Sequence, residues 1–90
     1  MLTVRPTAQF RRDYKLAKKR GLDLALLETV LTSLSEEKPL DPIHRDHALT
    51  GDYAGHRECH VLNDWLLIYR VECENLILVA ARTGTHSDLF

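Results

Sequence analysis

A chain of 90 residues has room for one domain with one modest hydrophobic core. Its 44% apolar and 28% charged residues exclude a disordered protein, and no run of about 20 apolar residues is present that could cross a bilayer. A net charge of −1 at pH 7 excludes a protein that coats nucleic acid through overall positive charge. We therefore expect a single domain over residues 1–90, in the cytoplasm and without a membrane partner.

The charge is unevenly distributed along the chain. Residues 1–20 hold seven bases and one acid, a net charge of +6, whereas residues 21–90 hold five bases and twelve acids, a net charge of −7. A basic N-terminal segment indicates a docking surface for phosphate or for an acidic partner. A solvated helix face is the alternative interpretation.

The chain begins with a predicted strand and a predicted helix. Leu2–Arg5 is the strand candidate, and Pro6 stops it because proline has no N–H to give a sheet. Thr7 is expected to cap a helix over residues 8–20, which Gly21 ends in the left-handed conformation. The bases of this helix fall in one sector, here called the basic face: Arg11, Arg12, Lys15, Lys18 and Lys19.

A second helix is expected directly after the first. Asp23 is a suitable N-cap, and leucines and a valine recur at helical spacing until Lys38-Pro39 breaks the pattern. Since so short a turn joins the two helices, they are expected to pack as an antiparallel hairpin. Residues 39–54 are interpreted as a loop, because prolines and a glycine interrupt the segment and its apolar residues recur at neither helical nor strand spacing.

The second half of the chain predicts three strands. Residues 56–62, 66–71 and 76–81 have strand-like patterns, and turns are expected at Asn63-Asp64 and Glu74-Asn75. Beyond residue 81 the chain is expected to leave the sheet. The order βααβββ predicts an α+β domain with a helical hairpin on one face of a small, mainly antiparallel sheet.

Five histidines in 90 residues are many, and four are expected in loops or at strand ends: His44, His47, His60 and His86. Imidazoles titrate near neutral pH, so two of them can act as acid and base without a metal. RNA cleavage needs a base for the 2′-hydroxyl, an acid for the departing 5′-oxygen and a cation for the phosphorane. Arg82 could be the cation, and Trp65 and Phe90 could stack on bases. A structural ion pair and core packing are the alternatives.

A metal site is a second hypothesis. At the strand period of two, His56, Glu58 and His60 point the same way. A set of His44, His47, His56, His60 and a cysteine could bind an ion, although its spacings do not match closed zinc patterns. Cys59 and Cys73 lack CxxC spacing and are expected to be reduced.

Four separated blocks, matched in order and spacing, resemble the YafQ branch of the RelE-like toxins. They are the helical hairpin, Asp46-His47-Ala48-Leu49-Thr50-Gly51, Arg57-Glu58-Cys59-His60-Val61 with Asp64-Trp65-Leu66-Leu67-Ile68-Tyr69, and Arg82-Thr83-Gly84-Thr85-His86-Ser87-Asp88-Leu89-Phe90. The resemblance implies a RelE-like fold and a bacterial type II toxin that cuts messenger RNA in the ribosomal A site. Because histidines can supply both acid and base, we expect no cofactor and no metal. It also implies a cognate antitoxin with a ribbon-helix-helix N-terminal half and a C-terminal segment that wraps the toxin.

The resemblance also implies roles for individual residues. The catalytic set is His47, His60, Asp64 and His86, and the substrate-binding set is Trp65, Arg82 and Phe90. We expect His86 to be the general acid, carried on a tail beyond a Gly84 hinge, and His47 or His60 to be the base with Asp64 beside it. The basic face is expected to bind ribosome or antitoxin. The alternative is a relative with another target, such as DNA gyrase, or a purely binding module.

Overall fold

A five-stranded sheet with two long helices on one face is the architecture of the computed structural model, which describes all residues from 1 to 90. The elements are β1 (Thr3–Pro6), α1 (Ala8–Lys19), α2 (Leu24–Ser35), β2 (His47–Ala48), β3 (Arg57–Leu62), β4 (Trp65–Glu72), β5 (Ile77–Gly84) and α3 (His86–Leu89), with 3-10 turns at Pro42–His44 and Gly51–Tyr53. The strand order is β1-β5-β4-β3-β2, with β1 parallel to β5 and every other pair antiparallel. The predicted α+β class and the predicted helical hairpin are confirmed.

Side-chain caps define the two long helices. The Thr7 hydroxyl accepts the N–H of Phe10, and the Asp23 carboxylate accepts the N–H of Ala25. Gly21 follows α1 with a φ of +76°, the left-handed conformation that favours glycine. These three sequence predictions are confirmed. No helix in the chain combines the length and the apolar character needed to cross a membrane.

The central strand β4 separates two hydrophobic clusters. Its Trp65, Leu67 and Tyr69 pack against the helices, whereas Leu66 and Ile68 pack on the opposite face together with Leu89, Leu49 and Tyr53. Both faces of β4 are therefore covered, which fixes the position of the β3–β4 turn. The left-handed φ of +47° at Asn63 confirms the turn predicted there.

Two parts of the chain differ from the prediction. His47–Ala48, expected in a loop, forms β2 and pairs with Arg57 and Glu58 of β3. Strand β5 continues to Gly84 in extended conformation, so residues 82–84 do not leave the sheet and the expected hinge is a strand residue. The chain then forms α3, where a mobile tail was expected. Elements of two and four residues are too short to produce a periodic pattern.

Candidate active site

Three imidazoles from three separate elements gather around one carboxylate. His47 comes from β2, His60 from β3 and His86 from the start of α3. The Nε2 atoms of His47 and His60 lie 3.6 Å and 3.9 Å from the same Oε1 atom of Glu58. The rings of His60 and His86 have their centroids 5.9 Å apart. The fold therefore brings together the three histidines that the sequence proposed as catalytic.

Backbone carbonyls set the tautomers of two of these imidazoles. The Nδ1 of His47 lies 2.6 Å from the carbonyl oxygen of Arg45, and the Nδ1 of His60 lies 2.9 Å from that of Asn63. Since a carbonyl oxygen can only accept, both Nδ1 atoms carry a proton. The Nε2 atom of each ring is left to exchange a proton with a ligand.

Glu58 is the site residue missing from the predicted set. Its side chain is 5% exposed, and the imidazoles of His47 and His60 are the only basic groups within 4.0 Å of its carboxylate. Asp64 was predicted to stand beside His47 or His60, but it contacts His86 instead, and Glu58 is the carboxylate next to the other two imidazoles. The alternation His56-x-Glu58-x-His60 was the available signal, because it put Glu58 and His60 on one face of the strand.

Asp64 instead positions His86. Its carboxylate accepts a hydrogen bond from the His86 imidazole Nδ1 and another, at 3.1 Å, from the His86 backbone N–H. The hydrogen bond from the side chain and then that from the backbone lower the pKa of Asp64. The turn before β4 thus orients an imidazole that lies 22 residues away in the chain.

The helix that carries His86 is held on three sides. Thr85 and Asp88 form a reciprocal capping box, and the Asp88 carboxylate also lies 2.6 Å from the guanidinium of Arg20 at the end of α1. That hydrogen bond is the main reason that the pKa of Asp88 is lowered. Leu89 is buried in the second hydrophobic cluster. His86 is therefore held in place by its helix.

Arg82 is part of a half-buried ion pair. Its Nε and Nη2 atoms donate to the Asp13 carboxylate of α1 at 2.8 Å and 3.2 Å, and Nη1 lies 3.4 Å from the Tyr53 hydroxyl. The hydrogen bond with Asp13 raises the pKa of Arg82. Asp13 also accepts the backbone N–H of Thr83. The alternative raised from the sequence, a structural ion pair, is present, and a role toward phosphate stays a prediction.

The two candidate stacking residues have different environments. Trp65 is only 4% exposed and donates its indole N–H to the Thr83 hydroxyl at 2.9 Å. The expectation that Trp65 stacks on a base is wrong, because β4 places the ring under the helices. Phe90 is 64% exposed, with its ring 6.2 Å from that of His86 and 5.6 Å from that of Tyr53. Phe90 remains the stacking candidate, and Tyr53 joins it.

A second polar network anchors the loop that carries His47. The Tyr69 hydroxyl donates to the Asp46 carboxylate at 2.6 Å, and the Arg57 guanidinium approaches the same carboxylate at 3.3 Å. Burial and this hydrogen bond raise the pKa of Tyr69. His47 is therefore attached to the rigid sheet through its neighbour in sequence. By contrast, the basic face of α1 is exposed, and none of its five side chains forms an ion pair.

The metal set suggested from the sequence is not brought together. The Nδ1 of His44 bonds to the carbonyl of His60, and Cys59 lies in the core, where burial raises its thiol pKa to about 12. The group that could hold an ion is Glu58, His60 and His86, with one potential ligand atom from each lying within 4.8 Å of the others. Two imidazoles and a carboxylate suit a divalent transition metal.

Comparisons with known proteins point to one family. The family model described as the bacterial toxin of type II toxin-antitoxin system, YafQ, matches residues 2–90. The chain is 40% identical over 85 residues to the mRNA interferase toxin YafQ of Escherichia coli K12, covering 93% of this chain and 90% of that protein. A metal-bound toxin from Helicobacter pylori has a TM-score of 0.94 and 41% identity, with full coverage of both chains. A chain of the E. coli DinJ-YafQ complex has a TM-score of 0.88 and 37% identity, covering 100% of this chain and 99% of that one.

Proposed function

This chain belongs to the YafQ family of bacterial type II toxins, and from that premise we propose that it is a messenger RNA endoribonuclease controlled by a cognate antitoxin. The observation that carries the proposal is the cluster of His47, His60 and His86 around Glu58. These groups supply proton transfer at neutral pH.

Cleavage proceeds by transesterification. His47 or His60 accepts the proton of the 2′-hydroxyl at its Nε2 atom, and the 2′-oxygen forms a bond to the adjacent phosphorus. The bond from phosphorus to the 5′-oxygen breaks, and His86 donates a proton to that oxygen. The products are a 2′,3′-cyclic phosphate and a 5′-hydroxyl. Glu58 stabilises the imidazolium that forms on the base, since its buried carboxylate faces both candidate rings.

The remaining site residues orient the acid and bind the substrate in this scheme. Asp64 bonds to His86 Nδ1, which fixes the orientation of the ring that donates the proton. Exposed Phe90, beside His86, stacks on a base near the cut. Arg82, still with N–H groups beyond those bound to Asp13 and Tyr53, steadies the charge on the phosphorane.

The protein acts in the cytoplasm on messenger RNA in the ribosomal A site. Its unpaired basic face docks on ribosomal phosphate, and an acidic segment of the antitoxin covers the same surface. The E. coli relative YafQ is found in a complex with DinJ. For this chain we propose an antitoxin with a ribbon-helix-helix N-terminal domain.

The test is cleavage of a defined messenger RNA on stalled ribosomes, with end-group analysis of the product. A 2′,3′-cyclic phosphate or 3′-phosphate is expected, and a 2′-deoxy nucleotide at the cut site should abolish the product. Glu58→Gln should lower the rate by about a hundredfold or more with the fold intact, whereas His56→Gln, a change to the histidine just before β3, should not. Growth arrest without any RNA cleavage would favour a binding toxin with another target.

A further inference from the structure

An open groove of about 530 Å³ lies beside the imidazole cluster. It separates the 3-10 turn at Pro42–His44 from the end of the β3–β4 hairpin, and its walls include Ile43, His44, Arg45, His60, Leu62 and Asn63. The 2.6 Å bond from His44 Nδ1 to the His60 carbonyl holds the turn against the strand. The groove is thus a built feature of the fold.

The groove presents apolar surface next to a candidate catalytic residue. Ile43 is 75% exposed and Leu62 is 52% exposed, and both line this one groove. Single exposed apolar residues are common, but two that share a concave wall mark a contact surface. His60 belongs to both the groove and the cluster, so the groove begins next to the imidazoles.

The polar groups of the groove suit an anionic ligand. Arg45 lines it without an ion pair, and no carboxylate lines it, although residues 21–90 carry a net charge of −7. The exposed side-chain amide of Asn63 makes no hydrogen bond within the chain and can bond to a base edge. The groove therefore suits a ligand with a flat apolar part and an attached negative charge, which is the description of a nucleotide.

We propose that this groove binds a nucleobase adjacent to the scissile phosphate and contributes to sequence preference. The proposal rests on the ribonuclease function proposed above. Ile43 and Leu62 pack against the base, Arg45 faces the neighbouring phosphate and Asn63 contacts the edge of the base.

The test is a cycle of protein and substrate changes. Ribosome-bound messenger RNA is prepared with an abasic nucleotide on the 5′ or the 3′ side of the cut, and cleavage rates are measured for wild type, Leu62→Ser and Ile43→Ser. Leu76→Ser is the control, because Leu76 is 54% exposed in the β4–β5 turn outside the groove. Thermal midpoints verify that each variant folds.

In wild type, removing the base at one of the two positions should slow cleavage about tenfold, the factor that burying one leucine side chain supplies. Leu62→Ser should slow cleavage of the intact RNA by a similar factor and lose no further rate on the abasic substrate. Leu76→Ser should behave as wild type. Any effect of the abasic nucleotide on the ribosome itself is the same for every protein variant. The difference between variants therefore measures the contact between base and groove.

The same abasic penalty in Leu62→Ser and in wild type, at both positions, would overturn the groove proposal and leave the ribonuclease function standing. Weakened antitoxin binding with unchanged cleavage would make the groove a protein interface. A wild-type protein that cleaves no RNA would remove the proposed function, and the groove proposal with it.

Discussion

The ion pair between Asp13 and Arg82 should contribute more to stability than any other polar contact in the chain. Asp13 is 9% exposed and accepts four hydrogen bonds, from Gln9, from Arg82 twice and from the backbone of Thr83. Asp13→Asn removes the charge and turns one acceptor into a donor that faces other donors. Breaking a buried pair costs about 3–5 kcal/mol, but the Arg82 side chain is 24% exposed and water can reach it, so we expect a loss of about 2 kcal/mol.

Thermal unfolding measures this loss directly. For a domain of this size each kcal/mol shifts the midpoint by roughly 4–8 °C, so Asp13→Asn should unfold about 8–16 °C below wild type. The matched control is Asp52→Asn, since Asp52 is exposed and forms no ion pair, and its midpoint should not change. Denaturant unfolding should give the same ranking with an unchanged m-value.

The double variant Asp13→Asn, Arg82→Met tests the cause. If an unpaired charge destabilises Asp13→Asn, then replacing the guanidinium with an apolar side chain should restore part of the lost stability. A midpoint for Asp13→Asn within about 2 °C of wild type would refute the reasoning, since that is less than 1 kcal/mol. A double variant whose loss equals the sum of the two single losses would also refute it.

The remaining predictions concern the site and the basic face. His86→Ala should slow cleavage about 100- to 10,000-fold. A 5′-phosphorothiolate leaving group should restore cleavage by His86→Ala but not by His60→Ala. The reverse pattern would show that the roles of general acid and general base are assigned to the wrong histidines. Arg20 lowers the pKa of Asp88 in the folded protein below its usual value of 3.8. Asp88 therefore stabilises the fold at pH values above 3.8, and this stabilisation is lost as the pH falls through the lowered pKa. The thermal midpoint of Asp88→Asn should therefore lie below that of wild type at pH 7 and converge with it in acid, and a constant gap would contradict the linkage. Cleavage should survive a chelator but be inhibited by added Zn²⁺, with weaker inhibition in Glu58→Gln; loss of activity in the chelator alone would contradict the metal-free scheme. Charge reversal of the basic face should weaken ribosome binding most at low salt, and full toxicity after reversal would show that this face is only solvated.

Local chemistry was sufficient to predict the helical hairpin and the turn between β3 and β4. Thr7 and Asp23 cap their helices through side-chain oxygens, and Gly21 and Asn63 adopt the left-handed conformations that their turns require. Each of these features depends on a few neighbouring residues, so a single sequence contains the information.

The errors have a different physical origin. Glu58 acquires its role because β2 places His47 across from it, and a two-residue strand has no pattern of its own. Trp65 was predicted to stack on a base, because the sequence shows an aromatic side chain but not which face of β4 the helices cover. The ion pair of Arg82, raised from the sequence only as an alternative, has its partner Asp13 at a separation of 69 residues, too far for a local pattern to show.

The pairing of β1 with β5 affects the order in which the protein can fold. Thr3 of β1 lies beside Ile77 of β5, and β5 is the only strand next to β1 in the sheet. During synthesis β1 therefore cannot pair until β5, the last strand in the chain, has been made. Until that point the helical hairpin has only part of the sheet to pack against. His86 follows β5, so the proton-transfer set assembles only once that segment has left the ribosomal tunnel. On the function proposed above, a nascent chain whose β5 and His86 are still unfolded lacks this complete set and cannot cleave RNA.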